Sequence, residues 1–386
     1  MKQKIALISD SRCSHSLYIP ILDAISKSTY FEYKYIITGI HLSEKFGKTI
    51  EEIKTQGYTI THTFPLSVES TRASQVKNIA ESIQHLTTIF MKDRPDFILA
   101  QGDRGITLAA AIVGNHLRIP VIHMYGGEVS RTVDEPVRHA ISRFAHIHVT
   151  ATEKSAERLK RMGEEEFRIQ VVGATGVEYI KRLQIKKDST ILGKYNLSTD
   201  QPFMVVLQHP VSGEEEQAGR QMEKILSVMA GTNFKILIIY PNSDPGYEEI
   251  IKVINRYVEK YPDRFLSQKD IPYLEYLSIL KAAGCLVGNS SGGIIETPSL
   301  GTPTINIGTR QLGRERAHNI IDVDYDDTKI KKALNQALYD LEFNRRVAQC
   351  QTPYDPYSDG KASERILKII REITVDNRLL TKGLSY

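Results

Sequence analysis

The sequence predicts an α/β protein built from two doubly wound domains, on two observations. Short β-rich apolar runs alternate with longer helical patterns from one end to the other, as in parallel sheets assembled from βαβ units. A chain of 386 residues is also long for one hydrophobic core, which points to two domains of nearly equal weight with a cleft between them. Hydrophobic residues make up 41%, and 50 Lys plus Arg stand against 46 Asp plus Glu. That balance describes an ordinary globular protein, and a net charge of +4 gives no reason to expect a nucleic-acid partner.

The first-domain strands read "KIALIS", "YKYIITG", "DFILAQG", "IPVIHMY", "HIHVTA" and "FRIQVVG", with helical stretches such as "STRASQVKNIAESIQHLTTIFMKD" and "DRGITLAAAIVGNHL" between them. The series restarts with "PFMVVLQHP", "FKILIIYPN", "AAGCLVGNS" and "TPTINIG", separated by "EEEQAGRQMEKILSVMAG" and "DPGYEEIIKVINRYVEKY". The connecting stretch "EYIKRLQIKKDSTILGKYNLSTDQP" is charged and polar, which divides the chain into an N-terminal domain, residues 1–185, and a C-terminal domain, residues 186–361. A final helix, "KASERILKIIREIT", lies within residues 362–386 and can pack on either. No stretch reaches membrane-spanning length, and the N-terminal run "IALI" is too short for a secretion signal. Cys13, Cys285 and Cys350 are odd in number and far apart, so neither a disulfide framework nor a cysteine-based zinc site is expected, and the reading is a reducing cytoplasm.

In such sheets ligands bind beyond the carboxyl ends of the strands, which selects the loops worth reading. "VGNSSGGIIETPSLGTP" follows a buried strand and opens a helix: Ser290 and Ser291 offer hydroxyls, Gly292 and Gly293 let backbone N–H groups approach, and a helix N-terminus favours an anion. Glu296, about one turn further on, suits the vicinal hydroxyls of a ribose; an N-capped helix with a solvated glutamate is the alternative. "GTRQLGRER" supplies Arg310, Arg314 and Arg316, whose forked guanidinium groups can clamp phosphate or simply face water. Asn242 and Asp244 in "YPNSDPG" fit a turn equally well. No GxGxxG follows the first strand and no GxxxxGK[ST] occurs, so a nucleotide diphosphate sugar fits better than NAD or ATP, and no cofactor is implied.

The other end of the chemistry is acidic. "AQGDRG" places Asp103 at a strand exit, as a helix cap or as a proton-transfer group, and "GGEVSRTVDE" adds Glu128, Asp134 and Glu135 from the next exit. His209 in "VLQHP" comes from the second domain, and carboxylates facing a histidine resemble a proton-transfer site. A helix starting just before Pro136 would instead make Asp134 and Glu135 ordinary first-turn acids. His123, His139, His146 and His148 cluster in sequence, but "HIH" at 146–148 lies in a strand pattern, where neighbouring residues point to opposite faces, and no metal site is expected.

Taken together, "GDR", "GGEVSRTVDEPVRHAI", "LQHPV", "YPNSDPG" and "GNSSGGIIETPSLGTPTINIGTRQLGR" make the chain resemble, over nearly its full length, the hydrolysing UDP-N-acetylglucosamine 2-epimerases of sialic acid and related biosynthesis. The resemblance implies two Rossmann-like domains in the GT-B arrangement, a final helix returning to the N-terminal domain, and a homodimer or homotetramer. It implies UDP at Ser290, Ser291 and Glu296, a sugar facing the N-terminal loops, Asp103 and Asp134 in the acid–base set, and His209 assisting the departing diphosphate. Two departures lie in the same loops. Relatives read "HIEGGE" where this chain has "HMYGGE", which puts Tyr125 at the position of a catalytic glutamate. Their "TRADY" is here "SRCSH", which keeps Arg12 and substitutes Ser14 and His15. A GT-B glycosyltransferase and a catalytically silent nucleotide-sugar-binding protein are the alternative readings.

Overall fold

The computed structural model describes residues 2–69, 71–130 and 132–385. Its chain forms two compact units. The first takes the chain up to Glu128, then Val133–Tyr179 and the chain from Tyr354 onward; the second takes Val129–Thr132 and Ile180–Pro353.

The first unit runs β1 (Gln3–Ser9), α1 (Arg12–Ser26), β2 (Phe31–Ile37), α2 (Ile50–Thr55), β3 (His62–Thr63), α3 (Arg72–Lys92), β4 (Phe97–Gln101) and α4 (Gly105–His116). It continues with β5 (Val121–Met124), α5 (Asp134–Phe144), β6 (Ile147–Thr150), α6 (Glu153–Arg161), β7 (Ile169–Val171) and α7 (Thr175–Leu183). The seven strands pair in the order β3-β2-β1-β4-β5-β6-β7, every pair parallel. Chain order reverses between β1 and β4, whose register sets Ile5 opposite Phe97. That reversal is where a doubly wound sheet opens its ligand crevice.

The second unit runs α8 (Ser189–Lys194), β8 (Phe203–Leu207), α9 (Ala218–Ala230), β9 (Lys235–Ile239), α10 (Tyr247–Lys260), β10 (Phe265–Gln268) and α11 (Tyr273–Ala282). Then come β11 (Cys285–Gly288), α12 (Gly292–Ile295), α13 (Thr297–Leu300), β12 (Thr304–Ile307), β13 (Ile320–Val323), α14 (Asp327–Tyr339) and α15 (Leu341–Ala348). Its parallel sheet has the order β10-β9-β8-β11-β12-β13. All of "FMVVL" in β8 is buried, as a strand covered on both faces must be. Met222, Ile225, Leu226 and Met229 form the stripe by which α9 covers this sheet, and Ile330, Ala333, Leu334 and Ala337 do the same for α14. Each Met, Ile or Leu of these stripes contributes roughly 1.5–3 kcal/mol by leaving water.

Three strands escape the apolar pattern of the sequence: β3, β10 and β13. Each is a sheet edge, and β3 has two residues while β13 has no fully buried one. Edge strands lack the two-sided burial that writes a continuous apolar run.

The chain ends with α16 (Ala362–Glu372) and α17 (Asn377–Leu380) in the first unit. The Glu178 carboxylate of α7 accepts from both the N–H and the hydroxyl of Ser363, serving donors that the first turn of α16 leaves open. Arg168 donates to the carbonyls of Arg378 and Leu379, and Lys382 donates to those of Ser142 and Ala145 while pairing with buried Glu164. Among the described residues no helix is long and apolar enough to cross a membrane.

Candidate active site

Asp103 sits in the turn between β4 and α4, and it does not cap α4. The N-cap position is Arg104, with no side-chain cap bond, and the half-buried Asp103 carboxylate instead forms an ion pair with Arg138 of α5. Arg138 is 1% exposed and also donates to the carbonyl of Glu128, 3.1 Å away. Asp134 is the first residue of α5 and lies one turn before Arg138, so the two share a helix face. That position makes Asp134 a half-buried first-turn acid, whatever else it does. Glu135, beside it, faces His139 at 3.7 Å. Arg131 of the same stretch lies outside the described residues.

Glu128 is buried, and its two carboxylate oxygens accept from Ser155 and, at 3.3 Å, from Tyr354. Tyr125 is also turned inward. Its hydroxyl accepts from the N–H of Thr175, 3.1 Å away, and lies 2.9 Å from the Thr175 hydroxyl. Thr175 gives its own proton to the Leu17 carbonyl at 2.7 Å, so the phenol must be the donor in the pair. Burial holds this phenol above its ordinary pKa, against the lowering effect of the Thr175 bonds. Its one proton is thereby committed inside the unit, and the geometry makes Tyr125 an anchor for the β5 exit.

At the β1 exit, Arg12 opens α1, where burial lowers its pKa against the opposing charge of Glu52. His15, substituted relative to the pattern of the family it resembles, does not face outward either. Its ring nitrogens contact the Tyr35 hydroxyl at 2.8 Å and the Gln56 carbonyl oxygen at 2.7 Å, and burial lowers its pKa to about 4. Ser14 donates to Asp10, which is buried. Burial alone would raise the Asp10 pKa, but the Arg104 guanidinium, 2.7 Å away, brings it below the ordinary value. The Asp10–Arg104 pair joins the exits of β1 and β4 at the point of chain reversal. Neither residue carries a spacing signal in the sequence; Arg138 was also missed, and its place four residues after Asp134 is the signal that could have found it.

In the second unit, Asn289 closes a two-bond bridge with the backbone of His209: His209 N–H donates to Oδ1 at 2.7 Å, and Nδ2 donates to the His209 carbonyl at 2.8 Å. The Asn242 N–H donates to His209 Nδ1 at 3.3 Å, which leaves Nε2 to carry the proton of the neutral ring. The Asp244 carbonyl accepts from Tyr247 N–H in the turn that opens α10. Ser290 and Ser291 are half-buried, and the Ser290 hydroxyl accepts from Gly292 N–H at 3.3 Å. The expected helix is broken in two: α12 and α13 have four residues each, and Glu296 stands at the break rather than inside a turn. Its buried carboxyl, raised in pKa by burial, accepts from Tyr273 at 2.7 Å, which lowers it in part.

The arginines separate by function. Arg310 and Gln311 both donate to the Asn289 carbonyl, and Arg314 donates to that of Val129 within the second unit. Arg316 is consumed structurally: Asp322 takes its Nε and Nη2, and the carbonyls of Arg314 and Gln311 take the rest.

Comparison with known proteins bears on the whole chain. The profile of the family described as UDP-N-acetylglucosamine 2-epimerase matches residues 23–371. The chain is 35% identical over 387 residues to the UDP-N,N'-diacetylbacillosamine 2-epimerase (hydrolyzing) of Legionella pneumophila, covering 100% of both. It is 29% identical over 344 residues to the GDP/UDP-N,N'-diacetylbacillosamine 2-epimerase (hydrolyzing) of Campylobacter jejuni, covering 88% of both. Among solved structures, the UDP-GlcNAc 2-epimerase of Neisseria meningitidis bound to UDP-GlcNAc superposes with a TM-score of 0.80 at 17% identity, covering 96% of this chain and 100% of that one, a likeness of fold. With its two parallel-sheet α/β units and a family match running through both, the chain belongs to the UDP-N-acetylglucosamine 2-epimerase family.

Proposed function

We propose that the chain is a hydrolysing 2-epimerase, which converts a UDP-linked 2-acetamido sugar and water into UDP and the free 2-epimeric sugar. The observation that carries the proposal is the ion pair of Asp103 with Arg138, the arginine one turn beyond Asp134 in α5. Two carboxyl groups associated with one helix can divide the work of base and acid. One takes the proton from C2 as the C1–O bond to UDP breaks, leaving a 2-acetamidoglucal. Water then adds its hydroxyl at C1 while the other carboxyl delivers its proton to the opposite face of C2 and is restored by the proton that water gives up; the first carboxyl returns the C2 proton to solvent.

The departing diphosphate needs hydrogen-bond donors, and the neutral ring of His209 offers Nε2–H because Nδ1 is occupied. Ser290, Ser291, Gly292 and Arg310 serve the diphosphate in this scheme, with Arg314 four residues beyond Arg310 and Asn242 held against His209 by its backbone N–H, and Glu296 serves the ribose. Glu128 and Tyr125 shape the loop that carries Asp134. The names of the Legionella and Campylobacter relatives support a UDP-linked 2,4-diacetamido sugar as the preferred substrate over UDP-GlcNAc.

Product analysis by proton and phosphorus NMR tests the proposal. UDP and a free 2-epimeric sugar are expected, with faster turnover of UDP-diacetylbacillosamine. A UDP-linked 2-epimer formed without UDP release overturns the hydrolysing assignment.

A further inference from the structure

We infer that His123 is a positioning residue, which fixes the peptide carrying Asp103 and so aims the carboxylate at the substrate. His123 lies in β5, fully buried, and its Nε2 is 2.8 Å from the Gly102 carbonyl oxygen. A carbonyl can only accept, so Nε2 carries the proton, and Nδ1 accepts from the Ser142 hydroxyl at 3.0 Å. Burial keeps the ring neutral, with a pKa of about 3, so this arrangement does not change near neutral pH.

The bond matters because of where Gly102 stands. It holds a left-handed φ of 78° directly before Asp103, and glycine passes between positive and negative φ with little cost. A fixed Gly102 carbonyl fixes the plane of the 102–103 peptide, and with it the direction in which the Asp103 side chain leaves the backbone. The Gly102 N–H is tied to the Met124 carbonyl at 3.1 Å. Helix α5 therefore holds the turn twice: Arg138 grips the carboxylate, and Ser142, one turn later, holds the carbonyl through His123. The chain also makes room for this ring. A Cβ at Gly126 would lie 2.9 Å from His123 Nδ1 and 3.2 Å from the Ser142 hydroxyl, so the first glycine of the "GG" pair admits the imidazole.

His123 acts this way only if Asp103 transfers a proton, as proposed above. Three variants of the full-length enzyme separate the possibilities: His123→Asn, His123→Gln and Asp103→Asn. The asparagine amide reaches Ser142 but falls short of Gly102, whereas the glutamine amide nitrogen sits where Nε2 was. His123→Asn is expected to lower kcat roughly 10- to 100-fold, with KM and UDP affinity little changed, because a misaimed group costs rate rather than binding. His123→Gln is expected to recover kcat to within about threefold of wild type. Gly126→Ala, which pushes the ring without removing it, should reproduce the kcat loss with UDP binding intact and covers the case in which His123→Asn does not fold. Wild-type kcat in folded His123→Asn or in Gly126→Ala, or equal losses in His123→Asn and His123→Gln, overturns the inference. Full activity in Asp103→Asn instead removes the proton-transfer assignment, whatever the His123 variants do.

Discussion

Tyr125 occupies left-handed backbone, with φ of 63°, a conformation that costs a non-glycine residue about 1–2 kcal/mol. The hydroxyl bonds to Thr175 offset that cost and tie the β5 exit to the start of α7. Tyr125→Phe should lose about 1–3 kcal/mol in urea unfolding, since the Thr175 N–H is left buried without its acceptor. Tyr125→Glu, which restores the residue common among relatives, should cost more, because it buries a carboxylate in a pocket arranged for a donor. Wild-type stability in both variants would contradict the anchoring role. Gly292 offers a second test at this scale. A Cβ there would meet Glu296 Oε2 at 2.8 Å and the Tyr276 hydroxyl at 3.2 Å, so Gly292→Ala should displace the carboxyl and weaken UDP binding about tenfold, near 1.4 kcal/mol by titration calorimetry. These contacts were not legible in the sequence. Spacing pointed to Asp103, Asp134 and Glu296 as chemistry-bearing positions, but it could not say that Tyr125 and His15 turn to partners distant in sequence, or that Arg316 is held within its own loop.

Among the elements, strands buried on both faces were legible because they must be apolar throughout. β1, β4, β5, β8 and β11 lie where their apolar runs predict. The edges β3, β10 and β13 were not, being short or half-exposed, and the helix after β11 breaks at Glu296 into two single turns. The attachment of α16 depends on a side chain from α7: buried Glu178 serves the Ser363 N–H and hydroxyl. Glu178→Ala should destabilise the chain by about 1.5–3 kcal/mol, the range for hydrogen bonds to a charged group. Glu178→Gln, which keeps an acceptor, should recover part of that loss in the same urea titration. Wild-type stability in both variants would show that α16 is held by its apolar face alone, through Ile366 and Ile370.

Across the whole molecule, five buried histidines share one property. His123 titrates at about 3 and His15, His41, His146 and His148 at about 4, all lowered first by burial from the 6.5 they regain on unfolding. Between these values the unfolded chain binds more protons than the folded one, so stability is fully present above pH 6.5 and falls as pH drops toward 4. Each histidine contributes at most about 1.4 kcal/mol per pH unit in that window. Glu164, held at about 2 by His148 and Lys382 despite the opposing effect of burial, extends the loss below pH 4.5 in the same direction. The urea midpoint should fall steeply from pH 6.5 to 4; a midpoint unchanged down to pH 4.5 would contradict the neutral, buried state of these rings.

The two-domain α/β architecture was legible in the restarting series of strands, since each sheet must be built from successive βαβ units. The chemistry proposed for it makes one demand on the substrate, exchange of the C2 hydrogen with solvent while the C1–O bond is broken. Turnover of a UDP-linked 2-acetamido sugar in heavy water, followed by proton and phosphorus NMR, reads both events in one tube. The account predicts UDP release accompanied by a free 2-epimeric sugar fully deuterated at C2. UDP release with hydrogen retained at C2, or no release from either UDP-GlcNAc or UDP-diacetylbacillosamine, would contradict it.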